Sequence, residues 1–204
     1  PRADRGSSDF DVRHSFSGML SYELPRLQQA YACRVVTGWS VDLIAMARSA
    51  TPVNIVTGAD GLLIGRTDVA RPDVVAGVPL EISDANAPGG RRFNRAAFTT
   101  PSNRQGTLGR NVLRAFPMSQ FNVAVRRRIP LSERCALQVR AEAFNVLNQP
   151  NFGDPTASLL SSTFGESAQS LGRDPGGGGN AGGLNPLYQS GGARSLQLAL
   201  RLTF

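Results

Sequence analysis

SLQLALRLTF, from Ser195 to Phe204, sets Leu196, Leu198, Leu200, Leu202 and Phe204 on one side of an extended chain. Gln197, Ala199, Arg201 and Thr203 take the other side. Successive side chains of a strand point to opposite faces, so this alternation specifies one apolar face and one polar face. Two architectures accommodate such a strand. A soluble sheet buries the apolar face beneath a second sheet, whereas a transmembrane barrel turns it to lipid and keeps the polar set for its lumen.

Four more segments carry the same pattern. In Phe10 to Leu24, the residues Phe10, Val12, His14, Phe16, Gly18, Leu20, Tyr22 and Leu24 oppose Arg13, Ser15, Ser17, Ser21 and Glu23. From Thr37 to Thr51, Trp39, Val41, Leu43, Ala45 and Ala47 oppose Ser40, Asp42 and Arg48, with Ile44 and Met46 blurring the polar side. Ser119 to Arg128 sets Phe121, Val123 and Val125 against Gln120, Asn122, Ala124 and Arg126. Arg134 to Val146 sets Leu137, Val139, Ala141 and Ala143 against Gln138, Arg140 and Glu142. Each reaches the ~9–11 residues with which a tilted strand crosses a bilayer. The expected fold is therefore all-β: an antiparallel up-and-down meander of about five strands, at about 10–24, 37–51, 119–128, 134–146 and 195–204.

The connections carry independent information. A dozen residues from Pro25 join the first two strands, and an IPLSE turn (Ile129 to Glu133) joins the third and fourth. Long stretches of about 52–118 and 147–194 separate the other pairs, the second containing GGGGNAGG (Gly176 to Gly183). Long structureless loops are uncommon in compact soluble domains. Membrane barrels place short turns on the periplasmic side and long loops outside. With the C-terminus periplasmic, every connection falls on its expected side. Tyr22, Trp39 and Phe204 then lie near the periplasmic interface, with Phe10 and Phe121 nearer the outer one, as two aromatic girdles.

Composition agrees. Of 204 residues, 41% are hydrophobic, yet no run approaches the ~20 apolar residues of a membrane helix. The 22 Gly and 13 Pro favour strands with long connections over helices. The net charge is +7, and every basic side chain except the single histidine is arginine. These arginines are scattered apart from Arg126, Arg127 and Arg128, and no zinc-finger spacing or basic helix accompanies them, so nucleic acid is not an expected partner. The triplet reads as an interfacial anchor, Arg127 reaching lipid headgroups and its neighbours the lumen.

Few residues suggest chemistry. Cys33 and Cys135 form neither a metal motif nor a disulfide framework, and they read as two isolated thiols. His14, the only histidine, has no second ligand nearby. GTLGRN (Gly106 to Asn111) and GGGGNAGG lack the Gly-Lys-Ser/Thr of a phosphate loop. The pairs Asp42 with Arg48 and Glu142 with Arg140 read as lumenal charges. No nucleophile, metal or cofactor constellation is present, so no enzymatic activity and no cofactor are expected. The opening PRADRGSSDF has no apolar h-region and is not a signal peptide, which makes an exported chain a downstream piece of something longer.

Several stretches resemble the C-terminal part of TonB-dependent outer-membrane transporters, in the subgroup whose plug follows a carboxypeptidase-regulatory-like domain. They are SDFDVRHSFSGMLSYELP (Ser8 to Pro25), GWSVDLIAMARSATP (Gly38 to Pro52), RFNRAAFTTP (Arg92 to Pro101), LGRNVLR (Leu108 to Arg114), LQVRAEAFNVLNQPNF (Leu137 to Phe152) and the terminal LQLALRLTF. The resemblance implies a ~22-stranded plugged barrel in a Gram-negative-type outer membrane, with residues 1–204 as its C-terminal portion. It implies energised ligand transport, with the plug, the TonB complex, outer-membrane lipid and an unknown ligand as partners. It also implies that Leu196, Leu198, Leu200, Leu202 and Phe204 form the signal read by the barrel-assembly machinery. Lumen-facing candidates are Arg13, Asp42, Arg48, Gln138, Arg140, Glu142 and Arg201. No plug or TonB box occurs in these residues, and five strands cannot close a pore, so a fragment or truncated product is expected. A secreted β-sandwich adhesion module is the competing reading; its apolar faces would meet between two sheets.

Overall fold

The computed structural model describes residues 5–25, 37–59, 70–171 and 191–204. Among them there is no α-helix, and eleven strands occur in chain order. They are β1 (Ser15–Glu23), β2 (Trp39–Arg48), β3 (Pro52–Val53), β4 (Asp73–Val74), β5 (Glu81–Ser83), β6 (Arg91–Phe93), β7 (Phe98–Thr99), β8 (Leu113–Arg114), β9 (Met118–Pro130), β10 (Ala136–Phe144) and β11 (Ser195–Thr203). The five long ones form a single antiparallel sheet in the order β1-β2-β9-β10-β11. Consecutive long strands are neighbours, which makes the sheet a meander. Strands β3 to β8 form three small antiparallel pairs within the connection from β2 to β9.

The register fixes what each face contains. At one level Leu20, Leu43, Val123, Ala143 and Leu196 stand side by side across all five strands. One residue along, Ser21, Asp42, Ala124, Glu142 and Gln197 form the next level on the opposite face. Tyr22, Val41, Val125, Ala141 and Leu198 return to the first face. A register slip of one residue in any strand would put charges among the leucines, so the pattern of each strand specifies its pairing with the next.

The apolar face is uncovered and carries large exposed side chains. Leu198 is 73% and Leu200 74% exposed, while Gln197 and Ala199 beside them are half-buried. A soluble sandwich would bury those leucines for a gain of about 1.5–3 kcal/mol each. The protein's buried apolar cluster lies elsewhere, in Val53, Ile55, Phe93, Ala97, Phe98, Leu108, Leu113, Ala115, Leu159 and Phe164, and none of these belongs to the five-stranded sheet. A sheet left greasy on its outside and a core confined to its connections is the arrangement of a wall facing lipid.

Both long connections leave from one rim, where Arg48 pairs with Met118 and Phe144 with Ser195. The connections at about 52–118 and 147–194 read as polar loops in the sequence. Their described parts instead fold on one another. Phe164 packs between Phe93 (6.4 Å between ring centroids) and Phe98 (5.7 Å, edge-on), and Val56 bridges Ser158. The alternation rule misses this rim module because its core residues are spread over short strands with no sustained period.

Three boundaries also differ from the sequence reading. The first strand begins at Ser15, since Asp11 N–H turns back to the Ser8 carbonyl (3.0 Å) and Val12 N–H to Phe10 (2.9 Å). Phe10, Val12, Arg13 and His14 therefore precede the sheet. β9 is longer than expected, running through Pro130 before a turn in which Leu131 N–H donates to the Cys135 carbonyl at 2.9 Å. β10 stops at Phe144, because Asn145 and Asn148 adopt left-handed conformations (φ 48° and 51°) that asparagine tolerates better than most residues. Cys33 and Gly176 to Gly183 lie outside the described residues.

Candidate functional site

The polar face of the sheet gathers five of the expected lumenal residues. Asp42 and Glu142 share one level, and Arg140 stands on the next level of that face with Glu23, Ser40 and Arg126. Gln138 and Arg201 pair directly across β10 and β11, and Arg128 joins them on the other side of Gln138. Glu23, Ser40, Arg126, Arg128, Gln138 and Arg201 line an open cavity of about 410 Å³ towards the short-turn rim.

Charge pairing on this face differs from the sequence expectation at one position. Asp42 is only 7% exposed and accepts from Ser21 Oγ at 2.5 Å, with the Arg126 guanidinium at 3.5 Å. Arg48 is not its partner, because six residues of extended chain separate them by roughly 20 Å. Glu142 does pair with Arg140, at 2.5 Å. Arg48 shares the parity of the polar residues but stands at the long-connection rim, opposite Met118. Arg13 is corrected more completely: it precedes β1 and pairs with Asp11 at 3.9 Å, outside the wall. Arg127 falls on the apolar face, with its guanidinium 5.4 Å from the Trp39 ring centroid, where a cation and an aromatic attract.

Leu196, Leu198, Leu200 and Leu202 lie on the apolar face of β11, one of the two edge strands. Phe204 follows the strand and is almost fully exposed. Edge β1 carries Phe16, Leu20 and Tyr22 on the same apolar side.

The rim module is held by arginine–carboxylate pairs that the sequence did not connect. Arg110 reaches Asp9 at 2.7 Å, and Asn111 Nδ2 donates to the same carboxylate at 2.7 Å. Arg114 donates to Asp11 Oδ2 at 2.6 Å. The DFDVRH and LGRNVLR stretches thus recognise each other across about a hundred residues. The Asn111 hydrogen bond, with Arg110 beside it, holds the Asp9 carboxyl below its usual pKa. Hydrogen bonds from Arg114 and Ser7 do the same for Asp11. Arg104 grips Asp73 through two parallel bonds of 2.9 and 2.6 Å, which lowers the Asp73 pKa and raises that of Arg104. Such forked pairing needs guanidinium geometry, one physical use for so much arginine. Arg91 stacks on Phe116 (4.5 Å), pairs with Glu81 (2.6 Å) and donates to the Ala115 carbonyl. Arg92 bridges Asp84 and Glu166, each at 3.0 Å.

Where β10 ends, a lattice of amides joins the module to the sheet. Asn145 Nδ2 donates to the carbonyls of Gln149 and Gly192, both at 2.9 Å. Asn151 Oδ1 accepts from Ser119 N–H at 2.9 Å. Gln120, 2% exposed, donates to Asn122 at 2.8 Å and accepts from Gly191 N–H at 2.5 Å. The density of side-chain amides in NVLNQPN (Asn145 to Asn151) is the sign in the sequence that this turn is a built joint. No group of three or more His, Cys, Asp or Glu side chains among the described residues is arranged to hold a metal ion.

Comparison with known proteins agrees with the wall-like sheet. Residues 1–175 match the model of a family described as outer membrane beta barrel domain. No curated protein and no solved structure matches the chain significantly. With most of its length inside that match and its apolar face turned outward, the chain belongs to the outer membrane beta barrel domain family, and its membrane is the outer one.

Proposed function

We propose that this chain forms the C-terminal strands of a TonB-dependent transporter, which moves a ligand across the outer membrane and performs no covalent chemistry. The observation that carries this reading is a folded rim module standing above a charged sheet face whose two edge strands, β1 and β11, have no further partner strand among the described residues. Five strands cannot surround a lumen, so further strands must meet these edges. A barrel wide enough to need them has a lumen to be plugged. Asp42, Gln138, Arg140, Glu142 and Arg201 then face the plug, and the short turns lie on the periplasmic side. The rim module faces the medium and meets ligand first. During assembly, Leu196 to Phe204 is the strand offered to the barrel-assembly machinery.

The test uses the full-length protein in detergent and the purified periplasmic domain of its host's TonB. Saturable, micromolar binding is the expected result. Absence of binding, with the barrel folded by heat-modifiability on gels, would remove TonB from the reading.

A further inference from the structure

We propose that the groove between the end of β10 and the Phe152–Ser170 bridge is a binding site for a neutral, polyhydroxylated ligand of the carbohydrate class. The proposal deepens the transport reading by naming the chemistry of what the rim receives, and so rests on it.

The groove has a volume of about 560 Å³, within the range of about 300–1,000 Å³ usual for small-molecule sites. None of its fourteen lining residues is ionisable. That is informative in a rim module otherwise fastened by arginine–carboxylate pairs. A ligand bearing a full charge would find no counter-charge there and would lose hydration without repayment.

What the groove offers is amides in two tiers. Asn145 and Asn151 are buried, and their side chains are spent on backbone partners. They fix the turn that carries the second tier. The side-chain amides of Asn148, Gln149 and Gln169 line the same groove, are exposed, and have no protein partner among the described residues. Each presents a donor beside an acceptor, the complement of two neighbouring hydroxyls on a sugar ring. Phe152 supplies an apolar surface for the C–H face of such a ring. Its own ring is steadied by Phe116 at 5.0 Å, and its backbone by the bridge to Ser170. Preformed polar groups around an apolar wall select hydroxylated ligands, because an analogue lacking the hydroxyls leaves the amides desolvated and unpaired.

The experiment is direct binding of short neutral oligosaccharides (gluco-, xylo-, manno- and galacto-series) to the full-length protein in detergent. Polygalacturonate fragments and inorganic phosphate serve as charged comparators. The test variant combines Asn148→Gly, Gln149→Ala and Gln169→Ala; glycine is chosen at 148 because φ there is 51°. At least one neutral series should bind, and the triple variant should lose about tenfold to a hundredfold in affinity while remaining heat-modifiable. Failure of every neutral series, preference for a charged comparator, or undiminished binding by the folded triple variant would each overturn the proposal. Binding needs no TonB, so oligosaccharide capture without TonB-domain binding would sink the energised-transport reading and leave this site standing.

Discussion

Arg114 holds Asp11 at two points, donating from Nη2 to the carboxylate at 2.6 Å and from Nη1 to the backbone carbonyl at 2.9 Å. The contact joins the residues just before β1 to β8, which lies deep in the connection between β2 and β9. One end of the sheet's edge strand is thereby fastened to the module above it. Arg114→Ala should leave the strand content of the barrel unchanged and speed amide hydrogen exchange in residues 108–115 and 7–12. Arg114→Lys should recover only part of the protection, because an ammonium cannot reproduce the fork. Equal exchange in wild type and Arg114→Ala would show that the contact restrains nothing.

Acid should loosen the same region. The carboxyls of Asp9, Asp11 and Asp73 all sit below the usual 3.8 through hydrogen bonds from Asn111, Arg114 and Arg104 respectively. A carboxylate whose folded pKa is depressed contributes stability above its unfolded pKa and loses it as pH falls through the folded value. The rim module should therefore be indifferent to pH from neutrality down to about 4.5, then become protease-sensitive below about 3.8. High salt should mimic the effect weakly at neutral pH, since these pairs are exposed enough to be screened. Limited proteolysis across pH, read within 70–115, checks this. A module that opens first on raising the pH would contradict it.

The two faces of the sheet should differ in what they tolerate. Leu198 and Gln138 occupy neighbouring strands on opposite faces. Leu198→Arg places a cation against hydrocarbon and should destabilise the inserted barrel by about 2–4 kcal/mol near the bilayer midplane. Gln138→Arg adds the same side chain to the polar face, between Arg128 and Arg201, and the repulsion there should cost about 1 kcal/mol. Urea unfolding of the full-length protein in lipid vesicles distinguishes them. Equal costs would mean that the apolar face does not meet lipid.

Much of the sheet was legible in the sequence because a period of two is a one-dimensional signal that survives without knowledge of partners. Leu43, Val139 and Leu198 announce a common face before any strand is paired. The rim was not legible for the converse reason. Nothing in DFDVRH says that Asp9 meets Arg110 or that Asp11 meets Arg114, since pairing across about a hundred residues depends on how two connections cross. Asp42 illustrates the same limit within the sheet. Arg48 is its nearest arginine along the chain, but Arg126 on the adjacent strand is its partner in space. The Asn148–Asn151 run suits a turn, but the role of Asn145 and Gln149 as an amide joint depends on the approach of Gly192, just ahead of β11, which no local pattern announces.

Gly165 and Gly77 separate two causes that are usually confounded. Both have φ of 81°, so any L-residue there incurs the same left-handed strain of about 1 kcal/mol. Their surroundings differ. A Cβ at Gly77 would meet nothing within 4 Å, whereas one at Gly165 would lie 2.6 Å from the Phe93 carbonyl oxygen and 2.7 Å from its nitrogen. Those are backbone atoms in the aromatic core of the rim module, tied to Gly165 by the Phe93 N–H to Gly165 carbonyl hydrogen bond of 3.1 Å. Gly77→Ala should therefore cost about 1 kcal/mol and Gly165→Ala about 2–4 kcal/mol. The excess should appear as opening of the module, with faster exchange at Phe93 and Phe164, while β1, β2 and β9 to β11 keep their protection. If Gly165→Ala unfolded the sheet as well, module and wall would be one cooperative unit, and ligand-driven motion of the rim alone would be ruled out.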